Sequence, residues 1–240
     1  MDFAQFGPLA LPLTAALIYT VSGLLLKRAM GDGAGLLRLS VVTIGTIGLM
    51  FQLFWLLVDE APTWDPWWAP LLCGFLFFAG NVLTFLAIKL GDISVQTPIM
   101  GTKTIFVAVC AFALGSGPIP ASWWWAALIS TVGVFLLTWQ RGAAGRATLL
   151  GAVMAVLSAV FFSAADACLS HFAPSFGGLP LVCLMMLTSG IFSFSIVPFF
   201  SAPFAAVPRR AWRWLAPGAI LNASQAMLMG YTLSVFQQAT

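Results

Sequence analysis

Residues 69–89 read APLLCGFLFFAGNVLTFLAIK, an apolar run whose one charged residue, Lys89, stands at its last position. At a rise of about 1.5 Å per residue, a helix of this length crosses a hydrocarbon layer of roughly 30 Å. Similar runs fill most of the chain, at 8–27, 36–58, 94–114, 122–139, 148–169, 179–200 and 213–235. The sequence therefore predicts an all-α protein, a polytopic bundle of eight membrane helices.

The composition supports this interpretation. Hydrophobic residues make up 61% of the 240, charged residues make up 7%, and the mean hydropathy is +1.01. A soluble domain needs far more polar surface than this, so we expect no separate soluble domain. The cysteines lie inside apolar runs without the spacing of metal ligands, and the sequence predicts neither a metal site nor a cofactor.

The basic residues fall in alternate gaps between the apolar runs. Nine of the ten lie in or beside the odd-numbered gaps: Lys27, Arg28, Arg38, Lys89, Arg141, Arg146, Arg209, Arg210 and Arg213. Positively charged loops stay on the cytoplasmic side of a membrane. We therefore expect a multi-pass protein of the plasma (inner) membrane with cytoplasmic odd-numbered loops and Met1 outside. Orientation accounts for the net charge of +3, and no nucleic-acid partner is expected.

A faint internal repeat relates the two halves of the chain at an offset of 144 residues. The aligned segments are 7–29 with 151–173, 74–96 with 218–240 and, with one extra residue, 36–49 with 181–194. Polar positions coincide in this alignment, which places Ser22 over Asp166 and Asn81 over Gln225. The common order of the three matches favours a duplication.

The repeat predicts two bundles, residues 1–145 with five helices and residues 146–240 with an incomplete set. An odd number of helices inverts one repeat relative to the other, an arrangement common in transporters. Thr240 aligns with Gln96, just before the fourth helix of the first repeat. We therefore expect a chain truncated after its eighth helix, with a complete eight-helix protein as the alternative.

Lys103, the tenth cation, lies in the middle of the run 94–114. A bare charge at bilayer depth costs roughly 2.5–3.5 kcal/mol on insertion scales, so Lys103 should face a cavity or a partner. Gln96, Lys103 and Cys110 are spaced to share one helix stripe, and Pro98 can loosen the helix before it. We favour a substrate pathway over a lysine that snorkels to the interface or forms a structural pair.

Asp166 is the expected partner of Lys103. It lies in the run 148–169 with Ser163 three residues before it on the same helix face. A carboxylate there can neutralise Lys103 or bind a coupling proton, and the alternative is a wetted residue near a helix end. Further polar residues within the runs are assigned to the same pathway: Asn81, Asn222, Gln225, Tyr19 and Ser22. For the amides, the alternative role is to join helices.

Residues 85–139 combine several features of one transporter family. A helix ends in Ala-Ile-Lys-Leu-Gly, Pro98 opens the next helix, and a Pro-containing turn precedes a helix of the Gly-Val-Phe-Leu-Leu type. Lys27-Arg28 after the first run and Arg38 at the start of the second are similar too. The chain resembles EamA-type members of the drug/metabolite transporter superfamily. The resemblance implies two inverted five-helix repeats and a transporter rather than an enzyme.

The chain departs from the family pattern in three respects. No acidic residue follows the fourth run, which ends in Leu114-Gly115-Ser116-Gly117. The last two helices of the family pattern are expected to be missing, and the charges predict Met1 outside, whereas the family usually places it in the cytoplasm.

The leading hypothesis is a secondary transporter that moves a small metabolite by alternating access. A lysine in the cavity favours anionic or zwitterionic substrates, because it offsets the loss of their hydration. The alternatives are a non-transporting fragment or scaffold that needs the missing helices, and an intramembrane serine protease using Ser189 and His171. The expected partners are the small-molecule substrate and the lipid bilayer, with a second copy of the chain as a candidate.

Overall fold

The computed structural model describes residues 3–58, 61–90, 99, 102–114, 121–122, 124–125, 128–129, 132–133, 146–199 and 207–239. The helices there are α1 (Phe3–Gly31), α2 (Leu36–Met50), α3 (Ala69–Leu90), α4 (Lys103–Ala113), α5 (Arg146–Phe176), α6 (Gly178–Ser193) and α7 (Arg209–Ala239). Two 3-10 segments, Phe51–Leu57 and Phe194–Phe199, extend α2 and α6. No strand occurs within the described ranges, which confirms the all-α prediction there.

Among the described residues, five helical segments are long and apolar enough to cross a bilayer. They are Leu13–Gly31, Leu36–Leu57, Ala69–Leu90, Leu149–Phe176 and Gly178–Phe199. Each coincides with a predicted apolar run, and the polytopic helical bundle is confirmed. The predicted run 122–139 lies largely outside the described residues.

Contacts divide the chain into two compact units. The first unit consists of Met1–Pro62 and Gly177–Thr240 and holds α1, α2, α6 and α7. The second unit is Thr63–Phe176 and holds α3, α4 and α5. Each unit takes helices from both predicted repeats, and the division into repeats at residue 145 stays a prediction.

In the first unit, α1 and α7 pack as an antiparallel pair. Ser22 Oγ donates to the Gly218 carbonyl oxygen at 2.9 Å, and farther along the pair the Trp214 indole donates to Asp32 Oδ2 at 3.1 Å. A Cβ on Gly218 would come within 2.9 Å of the Leu26 side chain. Gly218 therefore allows α1 and α7 to approach closely enough for the Ser22 hydrogen bond.

Also in the first unit, α2 crosses α6 at small residues. A Cβ on Gly48 would meet the Met186 carbonyl oxygen at 2.8 Å, and one on Gly190 would lie 3.6 Å from the Gly48 Cα. The Gln52 amide donates to the Cys183 carbonyl at 3.1 Å, one of the hydrogen bonds across this contact. Small residues suit membrane helices because lipid tails supply no hydrophobic drive for association, so close packing must supply it.

In the second unit, α3 and α5 form another antiparallel pair. Ser158 Oγ lies 2.6 Å from Thr84 Oγ1 and donates to the Gly80 carbonyl at 2.8 Å. Toward the other end of the pair, the rings of Trp68 and Phe172 meet edge to face at 5.0 Å. The helix α4 packs against α5 in the same unit.

Candidate functional site

The candidate site lies in the second unit, where α4 meets α5. Lys103 Nζ is 2.6 Å from Asp166 Oδ2, so the expected pairing of the two residues is confirmed. Their side chains are 34% and 42% exposed, respectively. The ion pair is therefore not sealed in the packed interior of the unit.

The described helix α4 covers the second half of the predicted run 94–114, while Ile99 is also helical and the other residues of 94–101 lie outside the described ranges. Lys103 is the first residue of α4, preceded by Thr102, whose hydroxyl donates to the Ile99 carbonyl at 2.7 Å. A cation in the first turn of a helix is disfavoured by the helix dipole. The Asp166 carboxylate offsets this as well as the cost of placing an ammonium at bilayer depth.

Ser163 fixes the position of α4 on α5. Its hydroxyl oxygen lies 3.0 Å from the Lys103 carbonyl oxygen and 2.7 Å from the Ala159 carbonyl oxygen, and the side chain is fully buried. Asp166 follows Ser163 by three residues and so lies on the same face of α5. One face of α5 thus holds both the backbone and the side chain of Lys103.

Phe162 forms another side of the site, and sequence reasoning missed it. The Lys103 Nζ lies 5.5 Å from the centroid of the Phe162 ring, within range of a cation–π contact. The ring in turn meets Phe77 edge to face at 5.3 Å and packs over Gly80. A phenylalanine in an apolar run has no feature that marks it, and only its spacing of four from Asp166 places it on that face.

The chemistry that this arrangement offers is a pair of opposite, partly accessible charges. The ammonium can bind an anionic group, and the carboxylate can bind an ammonium or a proton. Among the described residues, no three His, Cys, Asp or Glu side chains lie close enough to hold one metal ion. The site therefore suits charge recognition rather than metal ligation within the described ranges.

Asn81 lies in the same unit and is buried in α3. Its amide nitrogen donates to the Phe77 carbonyl one turn earlier at 2.9 Å, a bond within its own helix. Gln96 lies outside the described residues. The pathway roles of both residues stay predictions.

The remaining predicted pathway residues belong to the first unit. Ser22 is buried and hydrogen-bonded to Gly218, Asn222 is also buried, and Tyr19 and Gln225 are partly exposed. The structure thus brings together Lys103, Asp166 and Ser163 within one unit. The role of the four residues of the first unit in the same substrate pathway stays a prediction.

The protease hypothesis gains no support from the described residues. Ser189 is fully buried in α6 of the first unit, and its hydroxyl has no hydrogen-bond partner among the described side chains and backbone. His171 lies in α5 of the second unit, with its ring edge to face on Phe172 at 4.8 Å. No nucleophile–base contact is formed within either unit by these residues.

Comparison with known families identifies one match. The model of the EamA-like transporter family matches residues 6–139, more than half of the chain. The comparison with curated proteins finds no match, and the comparison with solved structures finds none. The matched segment contains Lys103 and nearly all of α1 to α4, so the resemblance expected from the sequence is confirmed. The chain therefore belongs to the EamA-like transporter family, a family of membrane transporters.

Proposed function

We propose that this protein is a secondary transporter that moves a small anionic or zwitterionic metabolite across the plasma membrane by alternating access. Membership of the family supports the general activity. The observation that carries the finer proposal is the partly exposed pair of Lys103 and Asp166 within the second unit.

The pair favours a substrate that carries a negative charge. Two opposite charges about 4 Å apart attract by about 4 kcal/mol at an effective dielectric constant of 20, so a ligand that separates them must replace that attraction. A carboxylate or phosphate of the substrate can take the place of Asp166 at the Lys103 ammonium. A neutral molecule offers no such replacement.

The two substrate classes differ in what they require of Asp166. A zwitterion presents its own ammonium to the freed carboxylate, so the site stays electrically neutral. An anion leaves the carboxylate without a partner, and a proton bound to Asp166 then restores neutrality. Coupling to a proton is therefore expected for an anion and is not required for a zwitterion.

Transport by the full chain in sealed proteoliposomes tests the proposal. Pools of radiolabelled amino acids, carboxylates and phosphate esters are offered first, and the variants are then compared on any substrate found. Lys103→Gln should lower uptake at least about thirtyfold, because the cation that binds the anionic group is lost. The matched control is Lys89→Gln, which removes an exposed lysine at the end of α3 in the same unit.

Correct insertion of each variant is checked by its yield in membranes and its elution as a single species in detergent. Wild-type uptake by a well-inserted Lys103→Gln protein would remove Lys103 from the substrate site. A chain that transports nothing from any pool, although inserted, would favour the non-transporting scaffold.

We also propose that the odd-numbered loops face the cytoplasm, because they carry the basic residues. Single cysteines at Gly31→Cys, the last residue of α1, and at Ala61→Cys, in the second gap, test this in a chain without its native cysteines. Both positions are exposed. A membrane-impermeant maleimide added to intact cells should label the position at Ala61 and spare that at Gly31. The opposite pattern would reverse the orientation.

A further inference from the structure

One end of the antiparallel pair α1–α7 concentrates positive charge, and we call it the basic end. It is defined by Arg28 of α1 and by Arg209, Arg210 and Arg213 of α7. The two helix ends meet there, since Gly33 lies against Pro208 and the Trp214 indole donates to Asp32 at 3.1 Å. The fold thus joins cations that are separated by about 180 residues in the sequence.

The positive charge of the basic end is only partly balanced. Among the described residues of the first unit, Asp32 is the sole acidic side chain, and its Oδ2 already accepts the Trp214 hydrogen bond. Arg28 lies 5.4 Å above the Trp214 ring and is exposed. Arg209, Arg210 and Arg213 are exposed as well. Several guanidinium groups are therefore presented to the surroundings with a single carboxylate beside them.

An exposed apolar stripe leads directly to these guanidinium groups. Leu17, Val21 and Leu24 are 69%, 49% and 54% exposed, and their spacing places them on one face of α1 with Arg28. The stripe from Leu17 to Arg28 is about 17 Å long at the helical rise per residue, close to the length of an extended acyl chain. On α7, Ile220 lies two turns from Arg213 and is also exposed.

Tryptophan marks the boundary between the stripe and the cations. Trp212 and Trp214 lie among the arginines of α7. Tryptophan is enriched at headgroup depth, where its ring contacts both apolar and polar surroundings. We therefore expect the cations of the basic end at the level of lipid phosphates and the apolar stripe at the level of the acyl chains.

We propose that the basic end binds the phosphate of an anionic diacyl phospholipid, with an acyl chain along the stripe of α1. Guanidinium groups match phosphate oxygens with paired hydrogen bonds. Anionic lipids of the cytoplasmic leaflet are attracted to basic segments beside membrane helices. A free phosphate ion would satisfy the arginines but would leave the stripe without a ligand, and this favours the lipid.

Lipid binding to the purified full chain in a neutral detergent tests the proposal. Native mass spectrometry and thermal unfolding are measured with phosphatidylglycerol, with phosphatidylcholine of the same acyl chains, and with inorganic phosphate. We expect phosphatidylglycerol to bind and to raise the unfolding temperature, and the other two to do so much less. Equal effects of the two lipids would overturn the proposal, and equal protection by inorganic phosphate would show a free-anion site instead.

Paired variants locate the binding site. Arg209→Gln/Arg213→Gln should weaken phosphatidylglycerol binding by about tenfold or more, as expected for two juxtamembrane cations. Lys89→Gln/Arg146→Gln removes the same charge from the second unit and should leave the affinity within about twofold of the wild type. Equal losses in both variants, or no loss in the first, would overturn the assignment to the basic end.

If the double variant fails to insert, two further measurements test lipid binding at the basic end. Arg28→Gln removes only the guanidinium at the end of the stripe and should weaken binding by about fivefold. Binding to the wild type should also weaken as salt rises from roughly 0.05 M to roughly 0.5 M, because exposed charges are screened. Salt-independent binding together with an unchanged Arg28→Gln affinity would overturn the proposal.

Discussion

The first unit contains the antiparallel pair α1–α7, and the second contains the antiparallel pair α3–α5. The two pairs differ in the burial of a polar side chain at equivalent positions. The repeat alignment places Ser22 of α1 over Asp166 of α5. Ser22 is 1% exposed and donates to the Gly218 carbonyl, whereas Asp166 is 42% exposed and paired with Lys103. A hydroxyl can be satisfied by one backbone oxygen and buried, but a carboxylate needs a cation and keeps access to solvent or substrate.

The two units therefore carry their charged side chains in different places. The α1–α7 pair keeps hydroxyl bonds inside and gathers its cations at the basic end. The second unit places a cation in the first turn of α4 and an anion partway along α5, at a site held by the buried Ser163 hydroxyl. Four predictions follow from this contrast, ordered by the size of the expected effect.

Ser22→Asp should have the largest effect on stability, because it introduces into α1 the carboxylate that α5 carries at the aligned position 166. The new carboxylate would face the Gly218 carbonyl oxygen in a buried position, at a cost of roughly 3 kcal/mol. Reduced accumulation in the membrane and a lower unfolding temperature in detergent are the measurements. Ser22→Ala is the control for loss of the hydrogen bond alone. Wild-type stability of Ser22→Asp would mean that the position is not sealed and that the contrast is wrong.

Exchange of the ion pair, Lys103→Asp/Asp166→Lys, separates a structural role from a substrate role. Each single substitution should lower the free energy of unfolding by about 1–2 kcal/mol, less than for a fully buried pair because both side chains are partly exposed. The exchanged pair should recover most of that stability.

Uptake in proteoliposomes should stay low in the exchanged protein, because the cation then extends from α5 and no longer from the first turn of α4. Recovery of both stability and uptake would show that the pair acts only as a structural tie.

Glycine substitutions compare how each pair tolerates an added methyl group. In Gly80→Ala the Cβ would lie 3.1 Å from the Phe162 ring, which also contacts Lys103, whereas in Gly218→Ala it would lie 2.9 Å from the Leu26 side chain and 3.3 Å from the Leu25 Cβ. We expect Gly80→Ala to lower stability by about 1–2 kcal/mol and to reduce uptake as well.

Gly218→Ala should also lower stability by about 1–2 kcal/mol but leave uptake unchanged, because the added methyl group meets Leu25 and Leu26 and not Phe162. Thermal unfolding and initial uptake rates of the two variants are measured side by side. Equal effects of the two variants on uptake would contradict the inference that Gly80 acts on the Lys103 site through Phe162.

The smallest effects are expected from the hydroxyls that join each pair. Ser158→Ala and Ser22→Ala each remove a bond to a glycine carbonyl on the facing helix. Such bonds in membrane proteins contribute about 0.6 kcal/mol on average, so the two losses should be small and similar. Unfolding of both variants under the same detergent conditions is the measurement. A loss several times larger in one unit would show that its pair depends on the hydroxyl for more than a single bond.

The positions of most helices could be predicted from the sequence, since length and hydropathy are local properties of the chain. The run 69–89 appears as α3 at Ala69–Leu90, within one residue at each end. The run 148–169 lies within α5, which begins at Arg146 and continues to Phe176. The pairing of Lys103 with Asp166 was also predictable, because charge within a membrane needs a partner and Asp166 is the one acidic residue inside an apolar run.

The pairs of apolar and small residues that come into contact became apparent only from the packing of the helices. It placed Phe162 beside Lys103, Gly218 opposite Ser22, and the cations of α1 beside those of α7. Hydropathy cannot specify these contacts, because lipid tails are as apolar as leucine and every face of such a helix is equally suited to lipid. Close packing and a few hydrogen bonds choose among the faces, and these depend on residues far apart in the chain.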